Sequence, residues 1–257
     1  MPSARVIADR LDGWLRTAEI PDYPGAVNGL QLDSRGEVKR IATAVDFSGH
    51  IVDEVIRGEA QLLLIHHGMF WGGVQPFVGP YYHRLAKLIA NDVAVYSSHL
   101  PLDLHPELGN NVLLARRLGL HPTEGFARYK TVDVGVSGAA DVSTASLVVR
   151  AGEFAAEAGG QVIAPTIAPE RRTRRWAICT GAGADSDTIR EAADRGIDTM
   201  IVGEGPHHTA VQARDLGIVI IYAGHYATET LGIRALGERA AVEFEVESIF
   251  LAAPTGL

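Results

Sequence analysis

The chain has 257 residues, of which 47% are apolar and 21% charged, and its formal net charge is −8. This length suffices for one large domain or two small ones. The negative charge argues against broad binding to nucleic-acid phosphates, and no apolar run is long enough to cross a bilayer. The single cysteine, Cys179, excludes an internal disulfide framework and a zinc site built from cysteines. Because the charged N-terminal segment is also unlike a secretory signal, we expect a cytoplasmic protein with neither a membrane nor nucleic acid as partner.

The first half of the chain alternates between helix and strand patterns. A first helix is expected over residues 3–18 with Ser3 as its N-cap, and prolines and a glycine at 21–25 end it. Its apolar stripe comprises Val6, Ile7, Leu11, Trp14 and Leu15. Further strands are predicted at 40–47, 61–67 and 93–99, and further helices at 48–60, 81–92 and 109–120.

The second half repeats this order. After a strand–helix–strand connection at 129–165, strands are predicted at 174–181, 197–205 and 218–225, and helices at 186–196, 207–217 and 229–241. Short apolar strands that alternate with helices are typical of α/β layers. We therefore predict two similar α/β domains from an internal duplication, spanning residues 1–125 and 126–257.

Polar residues follow the second predicted strand of each half. The sequence QLLLIHHGMFW places His66 and His67 directly after a buried strand, and Gly203-Glu204-Gly205 follows the matching strand of the second half. Two adjacent histidines at the end of an apolar run are either metal ligands or hydrogen-bonded core residues.

The third predicted strand of each half ends in a histidine with a carboxylate four residues later. In SSHLPLD these residues are His99 and Asp103, and in AGHYATE they are His225 and Glu229. Because ligands of open α/β folds gather at the carboxyl ends of the strands, the two repeated motifs favour the metal-ligand interpretation of the histidine pair as well.

Imidazole and carboxylate together favour zinc, iron or manganese over calcium or magnesium, which prefer oxygen ligands. Adjacent side chains leave a strand end in different directions, so His66 and His67 are expected to bind one metal each in a two-metal site. Asp103 and Glu229 are the natural bridging carboxylates, and His225 is a terminal ligand.

Other histidines have less specific surroundings. His99 is a candidate ligand, a hydrogen-bond partner of a ligand, or a proton carrier. His207 and His208 either line a pocket or cap the helix that they begin. Surface or loop positions are expected for His50, His83, His105 and His121.

Two further motifs are predicted to be structural. TGAGADSD, at 180–187, resembles a dinucleotide-binding loop but has Ser186 in place of the third glycine. It is interpreted as a tight turn before a helix that Asp185 or Ser186 caps. The basic cluster RRTRR, at 171–175, is interpreted as a solvated loop before a strand.

Several motifs together resemble the NIF-three-like family, whose members are described as dinuclear-metal-centre hexameric proteins and GTP cyclohydrolase 1 type 2 homologues. They are NGLQLDS, IHHGMFW, SSHLPLDLHPELGNN, CTGAGADS, GEGPHH and GHYATE, in that order along nearly the whole chain. The resemblance implies two similar α/β domains, a metal pair in the cleft between them, and a homo-hexamer. The family's metal ligands fall on His66, His67, Asp103, His225 and Glu229.

Two functions remain open at this stage. One is a metal-dependent hydrolase acting on a nucleotide or related small molecule, in which water acidified by the metals attacks the substrate and His99 carries protons. If the substrate is GTP, water would add to C8 of the guanine ring and formate would leave. The other is a non-catalytic metal-binding or regulatory hexamer.

Overall fold

The computed structural model describes residues 1–256, which form two compact units. The first unit comprises Met1–Leu108 and Gly232–Ala253, and the second comprises Gly109–Leu231 with a short segment that starts at Pro254. By this division, residues 109–125 lie in the second unit and 232–253 in the first. The predicted domains, residues 1–125 and 126–257, follow the repeated order of helices and strands in the sequence. These domains stay a prediction.

The first unit is built around a five-stranded sheet with the strand order β1-β4-β3-β2-β10. Its strands are β1 (Gly29–Leu32), β2 (Arg40–Asp46), β3 (Leu62–His67), β4 (Ala94–Ser97) and β10 (Glu247–Phe250), and its helices are α1 (Ala4–Leu15), α2 (Gly49–Arg57), α3 (Gly79–Ala90) and α4 (Leu100–Asp103). All six residues of β3 are buried, which explains its continuous apolar run. Side chains of α2 and α3, including Val52 and Leu88, pack in one core with Leu63 and Val95.

The second unit has a five-stranded sheet with the order β5-β6-β7-β8-β9. Its strands are β5 (Glu124–Tyr129), β6 (Val132–Ser143), β7 (Arg172–Cys179), β8 (Thr199–Val202) and β9 (Val219–Tyr222), and its helices are α5 (Asn110–Arg117), α6 (Thr144–Glu157), α7 (Ser186–Asp194) and α8 (His207–Asp215). Successive residues of β7 enter different cores, because Ile178 packs with α5 and α6 while Ala177 packs with α7 and α8. The sheet is therefore covered on both faces. The long helix α9 (His225–Phe244) starts in this unit and ends in the first.

Both units share a core of three parallel strands, each of which leads to the next through a helix. In the first unit β2, β3 and β4 pair in parallel, and in the second β7, β8 and β9 do so. Their outer strands differ, since β10 adds parallel to β2 whereas β6 adds antiparallel to β7. The predicted fold class, two similar α/β domains, is thereby confirmed.

Several predicted elements need correction. The strand expected at the end of 129–165 does not form among residues 1–256, where Ile163 makes only an isolated bridge to Tyr222. Helix α9 begins at His225 rather than at Glu229. The apolar stripe of α1 is wrong at Val6, which is exposed, although Ile7, Leu11 and Leu15 are buried as predicted.

The predicted caps are confirmed. The Ser3 hydroxyl accepts from the backbone N–H of Val6, and Asp185 caps α7 in a capping box with Thr188.

The interpretation of the RRTRR cluster as a loop is wrong. Strand β7 begins at Arg172, so most of the cluster lies in the sheet. Arg172 pairs with Asp141 at 2.5 Å, and Arg175 lies 3.8 Å from Glu124. Asp141 lies on β6, which is next to β7, and Glu124 lies on β5 on the far side of β6, so these two arginines are paired with carboxylates of the same unit.

Over the described part of the chain, no helix is both long enough and apolar enough to cross a membrane.

Candidate metal centre

The first unit gathers its predicted metal ligands at the carboxyl ends of β3 and β4. His66 and His67 are the last residues of β3, and His99 follows β4. Their exposed fractions are 0%, 6% and 7%. One ring nitrogen of each lies within 4.8 Å of those of the other two, so the three imidazoles form one buried cluster able to hold a metal ion.

Each ring in this cluster is oriented by an oxygen acceptor. Nδ1 of His66 lies 2.9 Å from the carbonyl oxygen of Ser98, and Nδ1 of His67 lies 2.8 Å from Oδ1 of Asp46. A carbonyl or carboxylate oxygen only accepts, so Nδ1–H must donate, and the lone pair of each neutral ring is then on Nε2. Histidines that bind metals are held in this way.

Asp103 reaches the cluster from the short helix α4, which His99 precedes. Its carboxylate is buried, and Oδ2 lies 3.6 Å from Nε2 of His66. This carboxylate oxygen near an imidazole nitrogen adds an oxygen donor beside the three imidazoles, and such a mixture suits zinc, iron or manganese.

His99 is fixed by Asp22, which lies in the loop after α1. Nδ1 of His99 lies 2.9 Å from Oδ1 of Asp22, while Oδ2 accepts from the backbone N–H of Leu100 at 2.9 Å. Burial alone would raise the pKa of Asp22, but the hydrogen bond and charge of His99 and the hydrogen bonds from Asn28 and the Tyr23 backbone together outweigh it, and the pKa is lowered. Asp22 therefore remains a carboxylate that can stabilise a proton on His99.

The NGLQLDS motif supports the loops around this cluster. The Asn28 side chain accepts from the backbone N–H of His99 at 2.8 Å and donates to Asp22 at 2.8 Å. Gln31 accepts from the backbone N–H of Met69 at 2.7 Å, which fixes the chain just after the histidine pair.

The second unit places His225 and Glu229 one turn apart on α9, as the spacing of four residues requires. Nε2 of His225 lies 3.2 Å from Oε2 of Glu229, and Nδ1 lies 2.8 Å from Oε1 of Glu204, just after β8. Burial alone would lower the pKa of His225. The hydrogen bonds and charges of Glu229 and Glu204 outweigh it and raise that pKa to about 9.

Gly181 leaves room for Glu229. A Cβ atom at position 181 would collide with Oε1 of Glu229 and would lie 3.4 Å from Nε2 of His225. The backbone of Gly181 also has φ +63°, which other residues rarely adopt. The turn in CTGAGADS thus has a second task beyond leading into α7, because it makes space for a carboxylate and an imidazole.

The structure therefore brings the predicted site residues together within each unit. His66, His67, His99 and Asp103 meet in the first, and His225 and Glu229 meet in the second. The assignment of individual residues to metal binding or catalysis stays a prediction.

Sequence reasoning missed the oxygen partners of the histidines. Asp46 ends β2, and a carboxylate at a strand end was a usable signal. Glu204 was noticed but given no partner. Asp22, between two prolines, had the appearance of an ordinary turn residue.

The remaining histidines divide as follows. His207 lines a cavity of about 390 Å³ together with Glu204 and Tyr222, whereas Pro206 is the N-cap of α8. His207 therefore borders a cavity and is not the N-cap of α8, while its place in the predicted site stays a prediction. As expected, surface positions are found for His50, His83 and His121. His105 is half-buried in a turn, where burial lowers its pKa.

The donor sets can be compared with known proteins at this point. The family model described as Duf34/NIF3 (NGG1p interacting factor 3) matches residues 4–255. The chain belongs to the Duf34/NIF3 family. A "GTP cyclohydrolase 1 type 2 homolog" of Pyrococcus abyssi is 37% identical over 260 residues, which cover 98% of each chain.

Solved structures share the fold of this chain. Protein ybgI, described as of unknown function, has 34% identity and a TM-score of 0.88, with both chains covered completely. TTHA1606 from Thermus thermophilus has 30% identity and a TM-score of 0.86, again over both complete chains. The resemblance to the NIF-three-like family is therefore confirmed.

Proposed function

We propose that this Duf34/NIF3 protein binds two divalent metal ions and is a metal-dependent hydrolase of a nucleotide or related small molecule. The proposed metal ligands are His66, His67, Asp103, His225 and Glu229. Zinc, iron and manganese fit this mixture of imidazole and carboxylate donors. When bound, such metals polarise the substrate and acidify water.

One observation carries this proposal. His66, His67 and His225 each have Nδ1 against an oxygen acceptor, namely Ser98 O, Asp46 Oδ1 and Glu204 Oε1. A buried core histidine also needs an acceptor, but here Nε2 on the other side of two of these rings faces a further donor: Nε2 of His66 lies 3.6 Å from Oδ2 of Asp103, and Nε2 of His225 lies 3.2 Å from Oε2 of Glu229. The same arrangement in both units favours metal binding over a core role.

His99 has the geometry of a proton carrier in this proposal. Its ring is packed against those of His66 and His67, with ring centres 4.9 Å and 5.6 Å away. Asp22 orients the ring through Nδ1, so that Nε2 is the atom that exchanges a proton, and the carboxylate stabilises the charged form. Asp22 would thus orient His99 as an aspartate orients the histidine of an acid–base catalytic pair.

The substrate class is drawn from the relatives. Their printed name, GTP cyclohydrolase 1 type 2 homolog, makes GTP the first substrate to assay, by release of formate. The test is to load purified protein with zinc, manganese or ferrous iron and to incubate it with GTP, other nucleotides, phosphoesters and amides. Turnover that depends on metal, and that chelation removes, is the expected result.

The second candidate is a non-catalytic metal-binding protein. The deep burial of His66 and Asp103 favours it, since a closed shell of protein ligands suits a structural site. Full metal loading without turnover of any compound in the panel would support this function and contradict the hydrolase.

Assembly into a homo-hexamer is part of the proposal and rests on the family resemblance. One chain has a mass of 27.5 kDa, and light scattering at micromolar concentration is expected to give about six times this mass. A monomer would contradict it.

A further inference from the structure

A small cavity in the first unit opens beside the metal-ligand candidate His67. Its volume is about 200 Å³, and its lining includes Phe47, His67, Trp71, Gln75, Tyr81 and Arg84. Cavities that enclose whole drug-sized ligands are larger, at roughly 300–1,000 Å³. The cavity therefore suits one ring or one anionic group of a substrate rather than a complete nucleotide.

Arg84 is the unusual member of this lining. Its guanidinium carbon lies 5.4 Å from the ring centres of both Phe47 and Tyr81, so aromatic faces hold the cation on two sides. Within residues 1–256, its buried Nε has no hydrogen-bond partner and no carboxylate lies within 4.0 Å of the guanidinium. Arg84 as a whole is half-buried, but a buried N–H without an acceptor, such as this Nε, costs free energy unless an acceptor binds to it.

The one carboxylate in the lining has its own partner. Oδ1 of Asp46 accepts from Nδ1 of His67 at 2.8 Å. The charge of Asp46 is thus directed to the imidazole of His67. Arg84 is therefore the cation of this lining that an anionic oxygen of a ligand could approach.

Trp71 supplies a flat surface next to this cation. Its ring stacks on that of His67, with centres 4.6 Å apart and planes inclined by 30°. The residue is still 40% exposed, so part of the indole remains accessible to a second ring. Gln75 adds an amide that can donate to or accept from ring substituents.

We propose that this cavity is a subsite for a planar aromatic ring that carries an anionic oxygen group, with Trp71 as the stacking surface and Arg84 as the residue that selects the anion. The inference rests on the proposed function, because it places this group of the substrate beside His67. Phosphate and carboxylate share the required chemistry, and the probes below distinguish them.

The test is equilibrium binding of four probes to the full chain by calorimetry, before and after chelation. Guanosine monophosphate offers a ring with phosphate, benzoate a ring with carboxylate, guanosine a ring alone, and inorganic phosphate an anion alone. Arg84→Met keeps the stem and removes the charge, and Arg84→Gln is the second variant in case the first does not fold. Lys87→Met is the matched control, because Lys87 lies on the same helix, is paired with Asp53 and does not line the cavity.

Arg84→Met is expected to weaken binding of at least one ring–anion probe about tenfold or more, since hydrogen bonds to charged groups are the strong ones. Guanosine should bind the variant and the parent alike, Lys87→Met should have less than a twofold effect, and Arg84→Lys should restore part of the affinity. A larger loss of affinity for guanosine monophosphate than for benzoate would indicate that the subsite binds phosphate. A larger loss for benzoate would indicate that it binds carboxylate.

Three results would overturn the proposal. They are equal losses in Arg84→Met and Lys87→Met, an equal loss for guanosine and the anionic probes, and no saturable binding of any probe at millimolar concentration. Metal content is measured in parallel. If the protein carries its full metal content but does not discriminate between the probes, the subsite is rejected and the proposed function is not. If the protein carries no metal but still binds the probes in a way that depends on Arg84, the proposed function is rejected and the subsite is not.

Discussion

The two units share a parallel core but use the equivalent strand ends differently. In the first unit the second parallel strand, β3, ends in the ligand candidates His66 and His67. In the second unit β8 is followed by Glu204, which holds Nδ1 of His225 instead. Both units thus have polar side chains at this strand end, which are candidate ligands in the first unit and the acceptor that orients a candidate ligand in the second.

The motif of a histidine with a carboxylate four residues later is also shared and also differs in its surroundings. His99 is the N-cap of a helix of 4 residues that ends at Asp103, and both residues are buried. His225 and Glu229 lie on a helix of 20 residues, and the side chain of His225 is 27% exposed. Equal spacing therefore does not imply an equal role for the two histidines. The acceptor at Nδ1 and the burial of the ring also affect whether its neutral or its charged form is favoured.

The largest expected effect is the loss of bound metal when either proposed bridging carboxylate is removed. The loss should be similar for the carboxylate of the first unit and for that of the second. Glu229→Ala and Asp103→Ala should each remove most of the bound metal, because a bridging carboxylate serves both ions. Elemental analysis after reconstitution measures the loss. Glu238→Ala is the matched control, since Glu238 is an exposed carboxylate on the same helix as Glu229. Full occupancy in either bridging variant would show that its carboxylate is not a ligand.

The two motif histidines should behave differently. His99→Ala should lower turnover of the substrate by roughly 10²–10⁴-fold with nearly unchanged metal content, as expected for an acid–base group. His225→Ala should lose metal as well as turnover. Rates and metal content are measured on the same samples. If His99→Ala strips the metal as thoroughly as Asp103→Ala, His99 is a ligand and the assigned difference between the units is wrong.

A glycine substitution affects the second unit alone. Gly181→Ala places a Cβ atom against Oε1 of Glu229, so metal affinity should fall about tenfold or more. Gly196→Ala is the control for backbone strain. Gly196 has φ +65° against +63° for Gly181, and no described atom lies within 4 Å of the added Cβ. The left-handed backbone alone should cost each variant about 1–2 kcal/mol of stability, and the collision with Glu229 adds to this cost only in Gly181→Ala.

Equal metal affinity in the two glycine variants would mean that the position of Glu229 does not control binding. Chelator competition provides the measurement.

The smallest effect is a difference in pH dependence of the metal-free protein. The folded-state pKa of His225 is raised to about 9 from 6.5, so its contribution is fully present below pH 6.5 and is lost as the pH rises through 9. At 1.36 kcal/mol per pKa unit this contribution is at most about 3 kcal/mol. The pKa of Asp22 is lowered from 3.8, so its contribution is present above pH 3.8 and is lost on acidification.

Denaturant unfolding of chelated protein across this pH range checks both directions. His225→Gln should abolish the alkaline loss and leave the acid loss unchanged, and Asp22→Asn should do the opposite. A free energy of unfolding that rises between pH 6.5 and 9 in the parent would contradict the assignment for His225.

Much of the parallel core could be predicted from the sequence because its strands are continuous apolar runs. β3 and β4 are entirely buried. The outer strand β10 could not be predicted, since Glu247–Phe250 is a short segment whose partner, β2, lies some 200 residues earlier. Long-range pairing of this kind leaves no local pattern.

The candidate site divides in the same way. The histidines and carboxylates carry local motifs, so the residues that each unit brings together could be named from spacing. Their orienting partners could not, because Asp22 and His99 are 77 positions apart and meet only through the fold. The raised pKa of His225 likewise depends in part on Glu204, which follows another strand and is 21 positions away in the sequence.

The most direct test of the account is the metal content of the parent protein. After reconstitution with zinc, manganese and ferrous iron in turn, and removal of loosely bound ions, elemental analysis should find about two metal ions per chain for at least one metal. Only trace metal under all three conditions would contradict the central claim that the donor sets of the two units serve to bind metal.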